Sequence, residues 1–258
     1  MQIGAQLYTV RAFTQTLPDF AETLKKVAEI GYRTVQVSAT CAFEAEWLRE
    51  QLRANGLSCV LTHTPGPRLT GETEAVIAEH RLFDCPHIGL GMAPNCLSDD
   101  DWYGAFLRDY LPVAKTIAAS GLRFMYHNHN VEFARTGRGR EIWLERILSD
   151  FVPEELGLTL DTYWVQAGGG DPVWWLRQLQ GRVPCIHLKD MAFAPGNGLA
   201  GIRMAPVYEG NMNFDAILAA AEDAGTEYAL VEQDECYGED PFACLARSYE
   251  NLKAKGLR

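Results

Sequence analysis

The stretch AEWLREQLRANGLSCVLTH, residues 45–63, predicts a helix that ends at Gly56 and a β-strand that follows it at once. Glycine commonly ends a helix, because it adopts the left-handed backbone conformation at little steric cost. Segment 19–38 has the same order: DFAETLKKVAEI shows helical apolar spacing, Gly31 ends it, and RTVQVS is rich in β-branched residues. A helix followed by a buried strand is therefore the unit from which this chain is built.

This unit recurs along the whole chain. The predicted strands lie at 2–7, 33–38, 57–63, 87–91, 122–129, 156–161, 183–190 and 227–234, and the predicted helices at 19–30, 45–56, 73–84, 102–121, 141–151, 171–181, 213–225 and 241–255. Such nearly continuous apolar strands are typical of a parallel sheet covered by helices. Eight strand–helix units, with no linker between them, predict an α/β fold of one domain, a (β/α)8 TIM barrel over residues 1–258. The alternative, an open doubly wound sheet, normally has a glycine-rich loop after its first strand, and QLYTVRAFT (6–14) contains no glycine.

The composition narrows the class of partner. A formal net charge of −11 argues against general binding to nucleic acid, which needs clustered lysine and arginine. The seven cysteines are scattered and form no CxxC pair, which favours reduced thiols in a cytoplasmic protein. Neither a secretory signal nor an apolar run of about 18 residues is evident. We therefore expect a cytoplasmic protein that acts on a small molecule and binds neither nucleic acid nor membrane.

Potential ligands stand where the predicted strands end. In a TIM barrel the active site lies at the C-terminal ends of the strands. Five of the eight strands end in an imidazole or a carboxylate, namely His63, His127, Asp161, His187 and Glu232. A mixed set of nitrogen and oxygen donors suits Mn²⁺, Zn²⁺, Co²⁺ or Fe²⁺ better than Ca²⁺ or Mg²⁺. Each residue also has a structural alternative: Asp161 as a turn cap, His187 as a satisfied core histidine, Glu232 as an exposed acid.

Further candidates flank these strand ends. His129 and Glu132, just beyond His127, could supply a metal ligand or a base. Lys189 follows His187 by two residues and therefore shares its face, so it could hold a substrate oxygen, the alternative being a surface lysine near Asp190.

Three further residues are candidates for substrate binding: His63, Trp164 and Gln6. Trp164 could be a platform for a sugar ring or simply part of the core. His80, on a predicted helix, and His87, at the start of a strand, are interpreted as structural. AGGGDP (167–172) is interpreted as a turn in which Asp171 caps a helix that starts at Pro172.

Taken together, several motifs resemble one family over essentially the whole chain. They are GAQLYTVR (4–11), LKKVAEIGYRTVQVS (24–38), YHNHNVEF (126–133), LDTYWVQAGGGDP (160–172), IHLKDM (186–191), YEGNMNFDAIL (208–218) and LVEQDE (230–235). They resemble the xylose-isomerase-like TIM barrels called sugar phosphate isomerases/epimerases. That superfamily also includes ketose 3-epimerases, inosose dehydratases, dehydroshikimate dehydratases and the endonuclease IV group. The resemblance implies one divalent metal, usually manganese or cobalt, held at the positions of His127, Asp161, His187 and Glu232.

The chain departs from the ketose epimerases at the end of the fifth strand. There the resemblance implies a glutamate, which works with the strand-8 glutamate as an acid/base pair, but this chain has His127. The form YHxH resembles the inosose dehydratase and broad keto-sugar branches instead. Glu132 is the candidate for the missing carboxylate.

The primary hypothesis is a divalent-metal-dependent sugar isomerase or epimerase that acts on a keto-sugar or related polyhydroxy carbonyl compound through an enediolate. Mn²⁺ is the first expectation for the metal, with Co²⁺, Zn²⁺, Fe²⁺ or Mg²⁺ as alternatives. Glu232, His127, His129 or Glu132 would move the proton, and Lys189 would stabilise the oxyanion.

The second hypothesis is an inosose or 3-keto-sugar dehydratase or lyase that uses the same site. An endonuclease IV-like nuclease is disfavoured by the charge of −11 and by too few ligands, and a sugar-binding barrel without activity is the non-enzymatic alternative. Relatives are often dimers or tetramers, which leaves a homo-oligomer open.

Overall fold

The computed structural model describes residues 1–137, 139–196 and 201–257. Eight parallel strands close into a barrel in the order β1-β10-β7-β6-β5-β4-β3-β2. They are β1 (Gln2–Gln6), β2 (Thr34–Val37), β3 (Ser58–His63), β4 (His87–Leu90), β5 (Arg123–His127), β6 (Leu156–Asp161), β7 (Cys185–Leu188) and β10 (Tyr228–Val231), with β8 (Asp190–Phe193) and β9 (Ile202–Ala205) as a separate hairpin. The predicted (β/α)8 barrel is confirmed.

Helices surround the barrel. They are α1 (Leu17–Ile30), α2 (Ala45–Asn55), α3 (Gly66–Gly71), α4 (Thr73–Leu82), α5 (Trp102–Ala119), α6 (Trp143–Asp150), α7 (Thr162–Ala167), α8 (Pro172–Gln178), α9 (Phe214–Asp223) and α10 (Pro241–Ala254). The predicted helix ends agree with local chemistry: Gly56 after α2 has φ 61°, and the Asp171 side chain accepts the Val173 N–H at the start of α8.

Two apolar cores fix the barrel. The larger core, which contains Phe20, Leu48 and Phe124, packs helices against the outer faces of the strands. A smaller cluster of Val60, Leu61, Met125, Cys185 and Leu230, contributed by four barrel strands, fills the interior. Glycine on the strands leaves room for it: a Cβ at Gly157 would lie 2.5 Å from Met125 Sδ. Because apolar side chains fill the barrel interior, a reactive site is expected at the rim of the barrel.

The largest difference from the sequence prediction lies after β7. The strand predicted at 183–190 ends at Leu188, and the chain then turns into the β8–β9 hairpin. Buried Asp190 causes the chain to leave the barrel here. Its carboxylate accepts backbone N–H groups both from its neighbour and from residues much later in the chain. These donors belong to Met191, Tyr208, Gly210 and Met212. Asp190 therefore joins the two ends of the segment that leaves the barrel after β7 and returns to it just before α9.

Groups away from the rim have structural partners. His80 contacts Thr62 Oγ1 and Val76 O, and His87 contacts Val60 O, in agreement with structural roles. All seven cysteines are free. Across the described ranges, no helix combines the length and apolarity needed to cross a membrane.

Candidate metal centre

Four side chains from the ends of neighbouring strands meet at the barrel rim. His127 ends β5, Asp161 ends β6, His187 lies in β7 and Glu232 follows β10. One ligand atom from each lies within 4.8 Å of all the others, and all four residues are buried. Strand register explains the convergence, since Asp161 pairs with His187 and Leu230 pairs with His187 on the other side. The structure thus brings together the four residues that the sequence singled out as metal ligands.

The donor atoms of the four residues face one another. His127 Nε2 lies 3.3 Å from Asp161 Oδ2, and His187 Nδ1 lies 3.7 Å from the same oxygen. His187 Nδ1 is also 2.9 Å from Glu232 Oε2, yet neither atom forms a geometrically acceptable hydrogen bond within the described part of the chain. Buried polar atoms are rarely left in this state. A nitrogen and an oxygen atom, both buried and both aimed at one point, fit the binding of a divalent metal ion.

Outer partners orient these ligands. His127 Nδ1 lies 3.1 Å from Gly91 O, and His187 Nε2 lies 2.6 Å from Gln36 Oε1. An outer acceptor of this kind fixes the tautomer that leaves the inner nitrogen free to bind a metal. Asn128 Oδ1 accepts the Asp161 N–H at 3.0 Å, which joins the ends of β5 and β6. Gln36 and Asn128 were not singled out from the sequence, although a glutamine inside the apolar strand TVQV is itself an unusual signal.

Charge is concentrated at this point. The Lys189 ammonium is buried and lies 3.1 Å from both Asp161 Oδ2 and Glu232 Oε2. Burial alone would raise the pKa of the Asp161 and Glu232 carboxyl groups, but Lys189 and the histidines outweigh burial and lower both pKa values. Burial would lower the pKa of His187, but Glu232 and Asp161 raise it to about 9. The centre therefore presents two ionised carboxylates in a dry site.

Asp234 completes the surroundings of Lys189 and was not singled out from the sequence. Its Oδ1 and Oδ2 lie 2.9 and 3.1 Å from Lys189 Nζ. Burial, followed by the neighbouring Glu232 carboxylate, raises the pKa of Asp234 to about 6. The dense acidic run EQDE was the available signal.

The predicted substrate-binding residues line the same region. The His63 ring lies 5.2 Å from the His127 ring and 5.7 Å from the His187 ring. Trp164 lies 5.5 Å from the His129 ring, and Lys189 Nζ lies 5.4 Å from the Trp164 ring.

Unpaired polar atoms mark where a ligand could bind. Gln6 Oε1 accepts the Tyr8 N–H, and His63 Nδ1 contacts Ser38 Oγ. Several buried atoms find no hydrogen-bond partner among residues 1–137, 139–196 and 201–257: Gln6 Nε2, Gln36 Nε2, His63 Nε2, Asn128 Nδ2, His129 Nδ1 and Trp164 Nε1. A polar ligand could supply the hydrogen-bond partners that these atoms lack.

Glu132 lies outside the four-residue cluster. It is fully buried, and its Oε1 accepts the Tyr126 hydroxyl at 2.6 Å while its Oε2 accepts the His129 backbone N–H at 2.8 Å. Burial raises the pKa of this carboxyl group. In this arrangement Glu132 fixes the loop that carries His129.

Comparisons with known proteins agree with this architecture. A family model for the xylose isomerase-like TIM barrel matches residues 24–247. No curated protein matches the chain. A solved sugar phosphate isomerase/epimerase from Parabacteroides distasonis ATCC 8503 has a TM-score of 0.79 at 22% identity, covering 98% of this chain and 97% of that chain.

More distant solved structures share the fold. The probable 3-DHS dehydratase AsbF from Bacillus anthracis has a TM-score of 0.74 at 15% identity, with 98% of this chain and 99% of that chain covered. An L-ribulose 3-epimerase has a TM-score of 0.72 at 15% identity, with 98% and 94% covered. Identities this low relate the folds alone, but the family model covers most of the chain, and the protein therefore belongs to the xylose isomerase-like TIM barrel family.

Proposed function

We propose that this protein is a divalent-metal-dependent sugar isomerase or epimerase that acts on a keto-sugar or a related polyhydroxy carbonyl compound. The observation that carries the proposal is the meeting of His127, Asp161, His187 and Glu232 within 4.8 Å, beside the buried Lys189. These four residues would hold the metal, with Mn²⁺ as first choice and Co²⁺, Zn²⁺, Fe²⁺ or Mg²⁺ as alternatives. A divalent cation supplies Lewis acidity, which makes the C–H bond next to a carbonyl group more acidic.

The side chains of the chain itself supply proton transfer. Glu232 is ionised and buried, so it can accept the proton from the α carbon. Burial and the nearby His127 lower the pKa of His129 to about 3, so its imidazole is neutral near pH 7. Its Nδ1 has no hydrogen-bond partner within the described residues and can therefore accept or relay a proton.

Lys189 and its neighbours would bind the substrate. The Lys189 ammonium can stabilise the oxyanion that forms as the proton leaves, because it is fixed and shielded from water. Trp164 offers an aromatic face, while His63 and Gln6 offer unpaired nitrogens to hydroxyl groups. Return of the proton to the opposite face gives an epimer, and return to the neighbouring carbon gives an isomer.

The second candidate is a dehydratase or lyase that acts on an inosose or a 3-keto-sugar. The observation that favours it is the position of Glu132, whose two oxygens are bonded to Tyr126 and to the His129 N–H. Among the described residues, this leaves Glu232 as the carboxylate placed to act as base, without the second carboxylate of the two-glutamate epimerases. Loss of water can use one such group, which takes the α proton and then returns it to the β-hydroxyl, so that the oxygen leaves as water.

The seven free cysteines fit a reducing compartment, and we place the reaction in the cytoplasm on a free small molecule.

The test is incubation of the purified protein with Mn²⁺ and a panel of keto-sugars and inososes in D₂O. Deuterium at the α carbon without loss of water, read by NMR and mass spectrometry, supports the isomerase or epimerase. A product lighter by one water supports the lyase. Glu232→Gln is the matched control, because it keeps the shape of the side chain and removes the carboxylate that is assigned both to the metal and to proton transfer. Absence of both exchange and water loss across the panel refutes the proposal.

A further inference from the structure

The proposed reaction does not explain why Lys189 contacts three carboxylates. Its ammonium contacts Asp161, Glu232 and Asp234 together, at 3.1, 3.1 and 2.9 Å. We propose that Asp234 is a positioning residue that takes over Lys189 when a cation occupies the metal centre, as the ammonium moves off Asp161 and Glu232. This inference rests on the metal site proposed above.

The first observation is which carboxylate oxygens Lys189 contacts. Lys189 touches Asp161 Oδ2 and Glu232 Oε2, and these are the same oxygens that face the nitrogens of His127 and His187. A cation held by the four residues would therefore share both oxygens with the ammonium. Two positive charges drawn to the same oxygens repel each other strongly in a site shielded from water.

Asp234 is the remaining partner, and it is anchored. It lies outside the four-residue cluster but meets Lys189 Nζ with both carboxylate oxygens, at 2.9 and 3.1 Å. Its backbone carbonyl accepts an N–H of the Arg11 guanidinium at 2.9 Å, so the 3₁₀ helix Leu7–Phe13 after β1 holds it in place. A cation at the centre thus leaves the Lys189–Asp234 pair intact.

The backbone of Lys189 limits what can move. The Lys189 N–H donates to Thr162 Oγ1 at 3.0 Å, and the Lys189 carbonyl accepts the same hydroxyl at 2.9 Å. Only the side chain is therefore free to shift, and a shift toward Asp234 keeps the ammonium on the rim. Without Asp234, a buried ammonium beside a divalent cation would lose all of its charged partners, which is a costly state.

Mn²⁺ affinity in a double-mutant cycle tests the inference without any activity measurement. Isothermal titration of the full-length protein would compare wild type, Asp234→Asn, Lys189→Met and the double variant. We expect Asp234→Asn to weaken Mn²⁺ binding about tenfold or more when Lys189 is present, but only about threefold in the Lys189→Met background. Glu235→Gln, which removes the same charge from an exposed neighbour, should change the affinity by less than about twofold.

Opposite outcomes are equally definite. If Lys189 keeps its position when Mn²⁺ binds, Asp234→Asn should reduce the Mn²⁺ affinity by the same factor in wild type and in Lys189→Met. Equal losses in these two backgrounds overturn the inference. Crystal structures of the wild type with and without Mn²⁺ give a second test that needs no variant. Nζ should leave Asp161 and Glu232 and keep Asp234; retention of all three contacts in the Mn²⁺ form contradicts the inference. Failure of the wild type to bind any of Mn²⁺, Co²⁺, Zn²⁺, Fe²⁺ and Mg²⁺ would refute the proposed metal site itself, so the two failures are distinguishable.

Discussion

Replacement of Gln36 by leucine should weaken metal binding, although Gln36 is not one of the four proposed metal ligands. Gln36 lies in β2, and its Oε1 is 2.6 Å from His187 Nε2; both side chains are fully buried. As acceptor for the Nε2–H, the amide keeps His187 Nδ1 directed toward Asp161 and Glu232. Leucine fills a similar volume but cannot accept the hydrogen bond.

The magnitude follows from the burial of the pair. A buried N–H left without an acceptor costs about 1–3 kcal/mol. In the metal-free variant the ring can avoid this cost by losing the Nε2 proton and keeping an Nδ1–H toward Asp161 and Glu232. A metal at Nδ1 forces the proton onto Nε2, so most of the cost falls on the metal-bound state. Since about 1.4 kcal/mol corresponds to tenfold in affinity, the Mn²⁺ affinity should fall by about 5- to 140-fold.

The assay is isothermal titration with Mn²⁺, with circular dichroism as the check on folding. Gln6→Leu is the matched control, because Gln6 is equally buried on the neighbouring strand but its Oε1 accepts the Tyr8 N–H. Unchanged Mn²⁺ affinity in folded Gln36→Leu, or an equal loss in Gln6→Leu, would refute the assigned role of Gln36.

Three further predictions concern stability. Mn²⁺ at about 100 times its Kd should stabilise the wild type by about 2.7 kcal/mol, seen as a higher Tm that EDTA reverses, and Asp161→Asn should show no such shift. Burial lowers the pKa of His80 from 6.5 to about 4, so the stability linked to neutral His80 is complete above pH 6.5 and is lost as the pH falls toward 4. The loss of unfolding free energy between pH 7 and pH 4, measured with urea, should be about 3 kcal/mol smaller in His80→Gln than in wild type; parallel profiles contradict it. Asp190→Asn should lower stability by about 3 kcal/mol, because the amide nitrogen cannot accept backbone N–H groups; an unchanged Tm rejects this explanation.

The sequence predicted the barrel because its signals are local. Gly31 and Gly56 end helices, Asp171 caps one, and the apolar strands lie where their composition indicates. The four clustered side chains were found for a related reason: the barrel topology alone places the ends of parallel strands on one rim.

Contacts between segments that are far apart in the sequence could not be predicted from the sequence. Gln36 and His187 are 151 residues apart, and only barrel closure makes them neighbours. The pairing of Lys189 with Asp234 depends in the same way on where β7 and β10 lie side by side. The orientation of Glu132 depends on the Tyr126 hydroxyl, and the sequence pattern carries no signal for that contact.

The Asp190 carboxylate has a consequence for protein engineering. It ties Met191 to the segment from Tyr208 to Met212, so the β8–β9 hairpin is closed at its base. The entropy of such a closed loop changes only slowly with its length. Hairpins from relatives could therefore be exchanged at this base without a change in the register of β7.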